Sequence, residues 1–332
     1  MDIVAKIKAG DVRSIARLIT LVERRDPEAV EVIKKIYSGC GNARVVGITG
    51  PPGVGKSCLV AAIVKKLRQK KLSVGVLAVD PSSSFSGGAL LGDRVRMIDL
   101  SGDKEVFIRS LASRGALGGL SAAVNDAVDI LDVSGKDIII IETVGVGQGE
   151  IDIAALAHTV LLVLMPGYGD TLQAMKAGIM EIADILVVNK ADKPGADQTV
   201  ADLASVQNLS YAHVTDEIWY GPVIKTSALS GEGVDELVSA IFEHAKYLEK
   251  NKISAGNSER RKKQFLDLLT QQIRAEFKKS LEIDPSLRSW IKKIENLELP
   301  PYTAAEQVIG MIRKARERVN DLNATGLFVD GF

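Results

Sequence analysis

The chain is short of the residues that build metal centres and covalent cross-links. Of its 332 residues two are cysteine, Cys40 and Cys58, and three are histidine, His158, His213 and His244. None of them falls at metal-ligand spacing, and the two cysteines make no disulfide framework. Net charge is missing as well: Lys plus Arg and Asp plus Glu both number 42, so no overall field draws the chain to nucleic acid. A local basic run, Arg260-Arg261-Lys262-Lys263, reads as a solvated helix face rather than a binding surface. Long hydrophobic runs are absent too. The longest, Thr159 to Met165, has the length of a strand and cannot cross a bilayer. The amino terminus is amphipathic and charged, unlike a basic-then-apolar leader. The expectation is a cytoplasmic chain with no membrane and no nucleic-acid partner.

What the sequence does carry is a phosphate loop, Gly50-Pro51-Pro52-Gly53-Val54-Gly55-Lys56-Ser57. The preceding run, Arg44 to Thr49, reads as a buried parallel strand. The following one, from Lys56 to Lys70, has Leu59, Ile63 and Leu67 at helical spacing, with Cys58 packed as a small apolar residue in its first turn. That strand–loop–helix context is what the motif requires. Glycines at 50, 53 and 55 let the backbone curl so that successive N–H groups face phosphate oxygens, and the helix adds the positive end of its dipole. Lys56 is expected to reach the β- and γ-phosphates, and the Ser57 hydroxyl to hold Mg²⁺.

A second motif, Asn189-Lys190-Ala191-Asp192, selects the base. The Asp192 carboxylate matches guanine's N1–H and exocyclic amine, both donors, whereas adenine would leave it unsatisfied. Asn189 can brace the pocket and the Lys190 stem can cover the base. Ser227-Ala228-Leu229 follows another strand, where backbone N–H groups would meet the guanine oxygen. The two motifs together point to GTP and GDP rather than adenine nucleotides.

Between them lie the candidate switches. Asp137 to Ile141 is an apolar strand ending in Glu142, followed by Thr143-Val144-Gly145. Glu142 would accept from Mg²⁺-bound water, and the Gly145 N–H would approach the γ-phosphate. A second segment runs from Asp80 to Asp93. Asp93 is expected to ligate Mg²⁺, and Asp80 to bind metal or position water, although either would serve equally as a helix cap.

Strand-like runs at 44–49, 73–79, 106–109, 137–141, 159–165, 185–189 and 223–226 alternate with helical stretches. This predicts an α/β fold of the P-loop NTPase type, a mostly parallel sheet flanked by helices on both faces. Residues 1–40 read as two short helices, with Asp26-Pro27 opening the second. The P-loop domain is expected over 41–250, and a helical arm over 251–332. In the arm Phe265, Leu268, Leu269, Ile273 and Phe277, then Val308, Ile309, Ile312 and Val319, recur at helical spacing, on either side of the break at Leu299-Pro300-Pro301. These apolar faces suit a cap on the same chain or a dimer contact.

Five segments carry a more specific resemblance. They are Asp80-Pro81-Ser82-Ser83-Ser84, Leu91 to Met97, Ser113-Arg114-Gly115, Glu142 to Gln148 and Pro166-Gly167-Tyr168-Gly169-Asp170. Through them nearly the whole chain resembles the MeaB/ArgK/MMAA family of P-loop GTPases. The resemblance implies a GTPase chaperone that gates cofactor loading and protection of an adenosylcobalamin-dependent acyl-CoA mutase, typically methylmalonyl-CoA mutase. It also implies a homodimer held partly by the carboxyl-terminal arm, and a third switch at Pro166 to Lys176 in which Asp170 and Lys176 face the mutase. Gly149 and Cys58 stand where the family more often has Ser and Thr, and the first bears on the rate of hydrolysis. No Gln is placed to orient water, since Gln148 lies three positions past Gly145, so slow turnover raised by the mutase is expected. Arg94 or Arg96 suits a structural ion pair better than a charge-stabilising finger. Two other classes compete: a kinase or ATPase tied to lysine, arginine and ornithine transport, and a nickel metallochaperone, which the scattered histidines disfavour.

Overall fold

The computed structural model describes residues 2–80, 100, 102–112, 122–143, 149–167, 180, 182–211, 219–251 and 257–324. Its centre is a seven-stranded sheet in the order β3-β2-β4-β1-β5-β6-β7, with every neighbouring pair parallel. The strands are β1 (Arg44–Thr49), β2 (Val74–Asp80), β3 (Val106–Ala112), β4 (Ile138–Thr143), β5 (Thr159–Leu164), β6 (Ile185–Val188) and β7 (Val223–Lys225). The expected parallel α/β architecture of the P-loop type is therefore present.

Strand β4 shows why the sheet is covered on both faces. Its Ile138-Ile139-Ile140-Ile141 run is buried throughout, as a central parallel strand requires. Alternation sends Ile138 and Ile140 into one apolar cluster, and Ile139 and Ile141 into another. The first cluster is closed by α4 (Lys56–Gln69), through Leu59, Ile63 and Leu67, and by α8 (Val234–Lys250), through Leu237, Val238 and Ile241. The second is closed by α5 (Ala122–Val133), by α6 (Gly149–Leu156) and by the amino-terminal helices. Helix α7 (Ala196–Tyr211) contributes Leu203 to a smaller cluster with Leu162, Leu164, Leu186 and Val188.

The amino-terminal segment differs from expectation. It forms three α-helices, α1 (Ile3–Lys8), α2 (Val12–Glu23) and α3 (Pro27–Ile36), and a 3₁₀ turn over Tyr37–Gly39, where two helices were expected. The extra break falls at Gly10, whose φ of 75° ends α1, and Asp11, whose carboxylate accepts from Ser14 N–H to start α2. Asp26-Pro27 does open a helix, now α3, with the Asp26 carboxylate accepting from Glu28 N–H.

The basic run at 260–263 is a second correction. It lies in α9 (Asn257–Ile283), but Arg260 is buried and pairs with Asp129 of α5 at 2.7 Å. Arg261 lies over the Tyr37 ring and donates to the Cys40 carbonyl. Three α5 carboxylates, Asp126, Asp129 and Asp132, explain the difference: a basic helix start is drawn onto an acidic helix face. Gln264 reaches Asp126 one turn later, and the Asp132 carboxylate accepts from the N–H groups of Gly41, Asn42 and Ala43.

The chain divides into two compact units, Met1–Asp267 and Leu268–Phe332. In the second, α10 (Pro285–Glu295) is capped by Asp284, which accepts from Ser286 N–H, and α11 (Pro301–Ala324) opens at the Pro300-Pro301 break. Among the described residues no helix is long and apolar enough to cross a membrane.

Candidate functional site

Strand β1 lies between β4 and β5, and the loop that leaves its carboxyl end opens into the crevice where α/β sheets bind ligands. The loop is pressed against its neighbours. At Gly50, with φ of 141°, a Cβ would stand 2.1 Å from the Val163 carbonyl oxygen of β5. At Gly55, with φ of 94°, it would stand 2.6 Å from Asn189 Nδ2. Both positions therefore need glycine for conformation and for space. Pro51 and Val54 are buried while Pro52 and Gly53 face solvent.

Helix α4 begins at Lys56 directly after the loop, which aims the positive end of its dipole into the curl. The Lys56 ammonium is folded back on this curl, donating to the carbonyl oxygens of Gly50 at 2.7 Å and Pro51 at 2.9 Å. The Ser57 hydroxyl donates to Glu142 Oε1 at 2.7 Å, both groups being buried. Strand register explains the meeting: Glu142 pairs with Ile48 of β1, and its side chain follows Ile138 and Ile140 onto the face that α4 covers. Cys58 is half-buried in the first turn of α4 with a free thiol.

The second motif is tied to the first. Asn189, at the end of β6, donates from Nδ2 to the Val54 carbonyl at 2.8 Å. Its Oδ1 accepts from Ala228 N–H at 3.1 Å and from the Thr226 hydroxyl at 3.2 Å. One buried amide thus joins the phosphate loop to the loop after β7. Lys190, with φ of 57°, donates from Nζ to the Gly53 carbonyl at 2.6 Å, so its stem runs along the crevice. The Ser227 hydroxyl donates to Asp192 Oδ1 at 2.9 Å, which orients the carboxylate. Leu229, by contrast, is 89% exposed.

Several expected residues cannot be joined to this picture. Asp93, Gly145, Gln148, Arg94, Arg96, Asp170 and Lys176 lie outside the described residues. Asp80 is described as the last residue of β2, two positions beyond Ala78, which pairs with Glu142.

The donor set near Ser57 consists of a hydroxyl and a carboxylate, both hard oxygen ligands that fit Mg²⁺. Among the described residues no group of three or more His, Cys, Asp or Glu side chains could hold a metal ion.

Comparison with known proteins settles the family. A family model described as methylmalonyl-CoA mutase-associated GTPase MeaB matches residues 15–284. The chain belongs to the MeaB family. This MeaB-family GTPase is 48% identical over 312 residues to a protein of Pyrococcus horikoshii that carries a GTPase name, covering 94% of the present chain and 98% of the relative. It is 37% identical over 269 residues to the mitochondrial methylmalonic aciduria type A homolog of Mus musculus, covering 80% of the present chain and 64% of the mouse protein. A crystal structure described as a LAO/AO transport system kinase superposes with a TM-score of 0.65 at 27% identity, covering 94% of this chain and 96% of that one.

Three threonines of the MeaB-family site were not singled out from the sequence. Thr226 braces Asn189, and Thr49 and Thr143 meet across the ends of β1 and β4 at 3.0 Å. The available signal was position: Thr49 and Thr143 each end an apolar strand beside a motif residue, and Thr226 follows β7 directly before Ser227.

Proposed function

We propose that this MeaB-family GTPase is a nucleotide-switched chaperone of an adenosylcobalamin-dependent acyl-CoA mutase, methylmalonyl-CoA mutase in the first instance. In this reading Gly50 to Cys58 hold the phosphates of GTP or GDP, and Asn189, Lys190 and Asp192 with Ser227, Ala228 and Leu229 hold guanine. The observation that carries the nucleotide part is the Asn189 amide, which links Val54 of the phosphate loop to Ala228 of the base loop. A single nucleotide would span that junction, phosphates at one end and base at the other.

Arrival of phosphate would exchange the Lys56 contacts with Gly50 and Pro51 for phosphate oxygens. Ser57 and Glu142, with Asp80 and Asp93, would hold Mg²⁺ and its waters. Bound there, Mg²⁺ would neutralise charge on the transferring phosphoryl group. Asp170 and Lys176 would couple that state to the mutase. The family's description as mutase-associated supports the choice of partner.

A homodimer through the arm is part of the same proposal. In the second unit Leu268, Leu269, Ile273, Ile309 and Met311 are exposed apolar residues, more than a monomeric helical segment needs to show water.

The test is phosphate release from GTP with and without apo-mutase, beside co-elution of the two proteins with a non-hydrolysable GTP analogue or with GDP. The expected result is stimulation of turnover and binding that depends on which nucleotide is present. Unchanged turnover at saturating mutase, with no nucleotide-dependent complex, would overturn the chaperone reading. Transfer of labelled γ-phosphate to a protein instead of to water would favour the kinase activity named for the solved neighbour.

A further inference from the structure

The backbone ladder between β1 and β4 ends at the pair Ile48–Glu142. One residue further, the contact continues through side chains: the Thr143 hydroxyl donates to Thr49 Oγ1 at 3.0 Å. Both threonines are buried, Thr49 completely. Alternation along β4 makes this a two-sided arrangement. Glu142 faces α4 and receives the Ser57 hydroxyl, whereas Thr143 follows Ile139 and Ile141 to the opposite face. That opposite face is closely covered. A Cβ at Gly47, two residues before Thr49 on the same face, would stand 2.6 Å from Ile153 Cγ1 of α6.

The last two residues of β4 are thus tied to the residues that bracket the phosphate loop, Thr49 just before Gly50 and Ser57 just after Lys56. The two ties differ in kind. The Ser57–Glu142 bond joins two groups that the proposed function assigns to Mg²⁺, so metal binding would exchange it. The Thr49–Thr143 bond joins two hydroxyls on the other face of the sheet, neither assigned to Mg²⁺, so metal binding would leave it in place. A carboxylate at a strand end keeps its position through such an exchange only if the strand end is itself fixed.

We propose that Thr143, anchored on Thr49, is a positioning residue for GTP hydrolysis, holding the Glu142 carboxylate in register with Ser57 and the phosphate loop. The inference rests on the assignment of Glu142 and Ser57 to Mg²⁺. It does not depend on the mutase.

Four variants test it: Thr143→Val, Thr49→Val, the double Val variant and Thr143→Ser. Each is measured for kcat and KM with GTP, for GDP affinity by calorimetry with and without Mg²⁺, and for melting temperature. Each single Val variant is expected to lose about tenfold in kcat, the worth of one neutral hydrogen bond, with KM within about twofold of wild type. The gain in GDP affinity on adding Mg²⁺ should shrink several-fold, while affinity without Mg²⁺ stays unchanged. Thr143→Ser should restore both. The double variant leaves no orphaned hydroxyl, so it should melt near the wild-type temperature yet keep the low kcat of the singles. Recovery of kcat together with stability in the double variant would reduce the pair to a structural contact and overturn the proposal. So would single Val variants that match wild type in kcat and in Mg²⁺ enhancement. A wild-type protein without any Mg²⁺ enhancement would instead overturn the metal assignment beneath it.

Discussion

Arg260 and Asp129 meet at 2.7 Å inside the first compact unit, with side chains only 2% and 1% exposed. Burial pushes the Asp129 carboxyl above its ordinary value, and the Arg260 guanidinium pulls it back. Among the described residues Asp129 Oδ2 and Arg260 Nε and Nη1 have no hydrogen-bond partner, so the pair is only partly satisfied. Pairs of this kind cost little to replace whole and much to break. Arg260→Met should therefore destabilise the protein by about 3–5 kcal/mol, because it strands a buried carboxylate. Adding Asp129→Leu should recover most of that loss. Urea unfolding of the two single variants and the double decides it, and additive losses would show that the pair is not a unit.

The same contact marks where sequence reading stopped. Four consecutive basic residues look solvated when nothing shows what faces them, and the Asp126, Asp129 and Asp132 face of α5 lies more than a hundred positions away in the chain. Local patterns served better where their cause was local. The Val45 to Ile48 and Ile138 to Ile141 runs became central strands, and Asp26-Pro27 opened a helix. Strand ends were less legible. β4 was expected to end at the Glu142 carboxylate, yet Thr143 continues it, because a polar side chain at a strand end is buried when a neighbouring strand gives it a partner. β3 was expected to end at Arg109, yet it runs to Ala112: at the sheet edge, Arg109 can leave the sheet plane to meet Glu23 of α2. The spatial order of the strands had no local signal at all. The motifs at Gly50–Ser57 and Asn189–Asp192 were plain in the sequence, whereas the hydroxyl ties at Thr49, Thr143 and Thr226 depend on register and could not be read without the sheet.

Base selection offers a second prediction. Asp192 is oriented by Ser227 and is assigned to guanine's two donors. Asp192→Asn replaces an acceptor-only group with one that also donates. GTP turnover at low substrate should fall by at least about a hundredfold, the cost of unpairing a charged hydrogen bond, while xanthosine triphosphate, which offers an oxygen at that position, should become the better substrate. Competition between the two nucleotides reads the switch directly. An Asn variant that keeps its preference for GTP would remove Asp192 from the base pocket.

Stability against pH gives a third. Burial pushes Asp184 up from 3.8 to about 7, opposed by the Val160 N–H that its carboxylate accepts at 2.7 Å. His244, its ring tilted against that of Trp219 and 3.4 Å from Asp184, is pushed down to about 4 by burial, so the contact is not an ion pair at neutral pH. The signs oppose. A raised carboxyl contributes stability that is full below about pH 4 and is lost as pH rises through 7; a lowered imidazole contributes stability that is full above about 6.5 and is lost as pH falls through 4. Asp184→Asn removes the first effect and leaves the second. The stability of wild type relative to this variant should be greater at pH 5 than at pH 8, by on the order of 2 kcal/mol. Guanidinium unfolding at the two pH values measures it, and a pH-independent difference would mean that Asp184 is ionised throughout.

The phosphate loop itself yields the fourth. Lys56 already sits within the curl and has only to exchange the Gly50 and Pro51 carbonyls for phosphate oxygens. Lys56→Ala should leave the fold intact yet lower GTP turnover by at least about a thousandfold. Circular dichroism and phosphate release together separate the two effects. Turnover retained within tenfold would place the phosphates elsewhere.

Isothermal titration of the purified protein with GDP and with ADP, each in the presence of Mg²⁺, bears most directly on the junction that Asn189 makes between the two loops. Saturable heat with GDP and none with ADP is the expected result. Equal binding of both nucleotides, or no heat with either, would contradict the assignment of this crevice to guanine nucleotides.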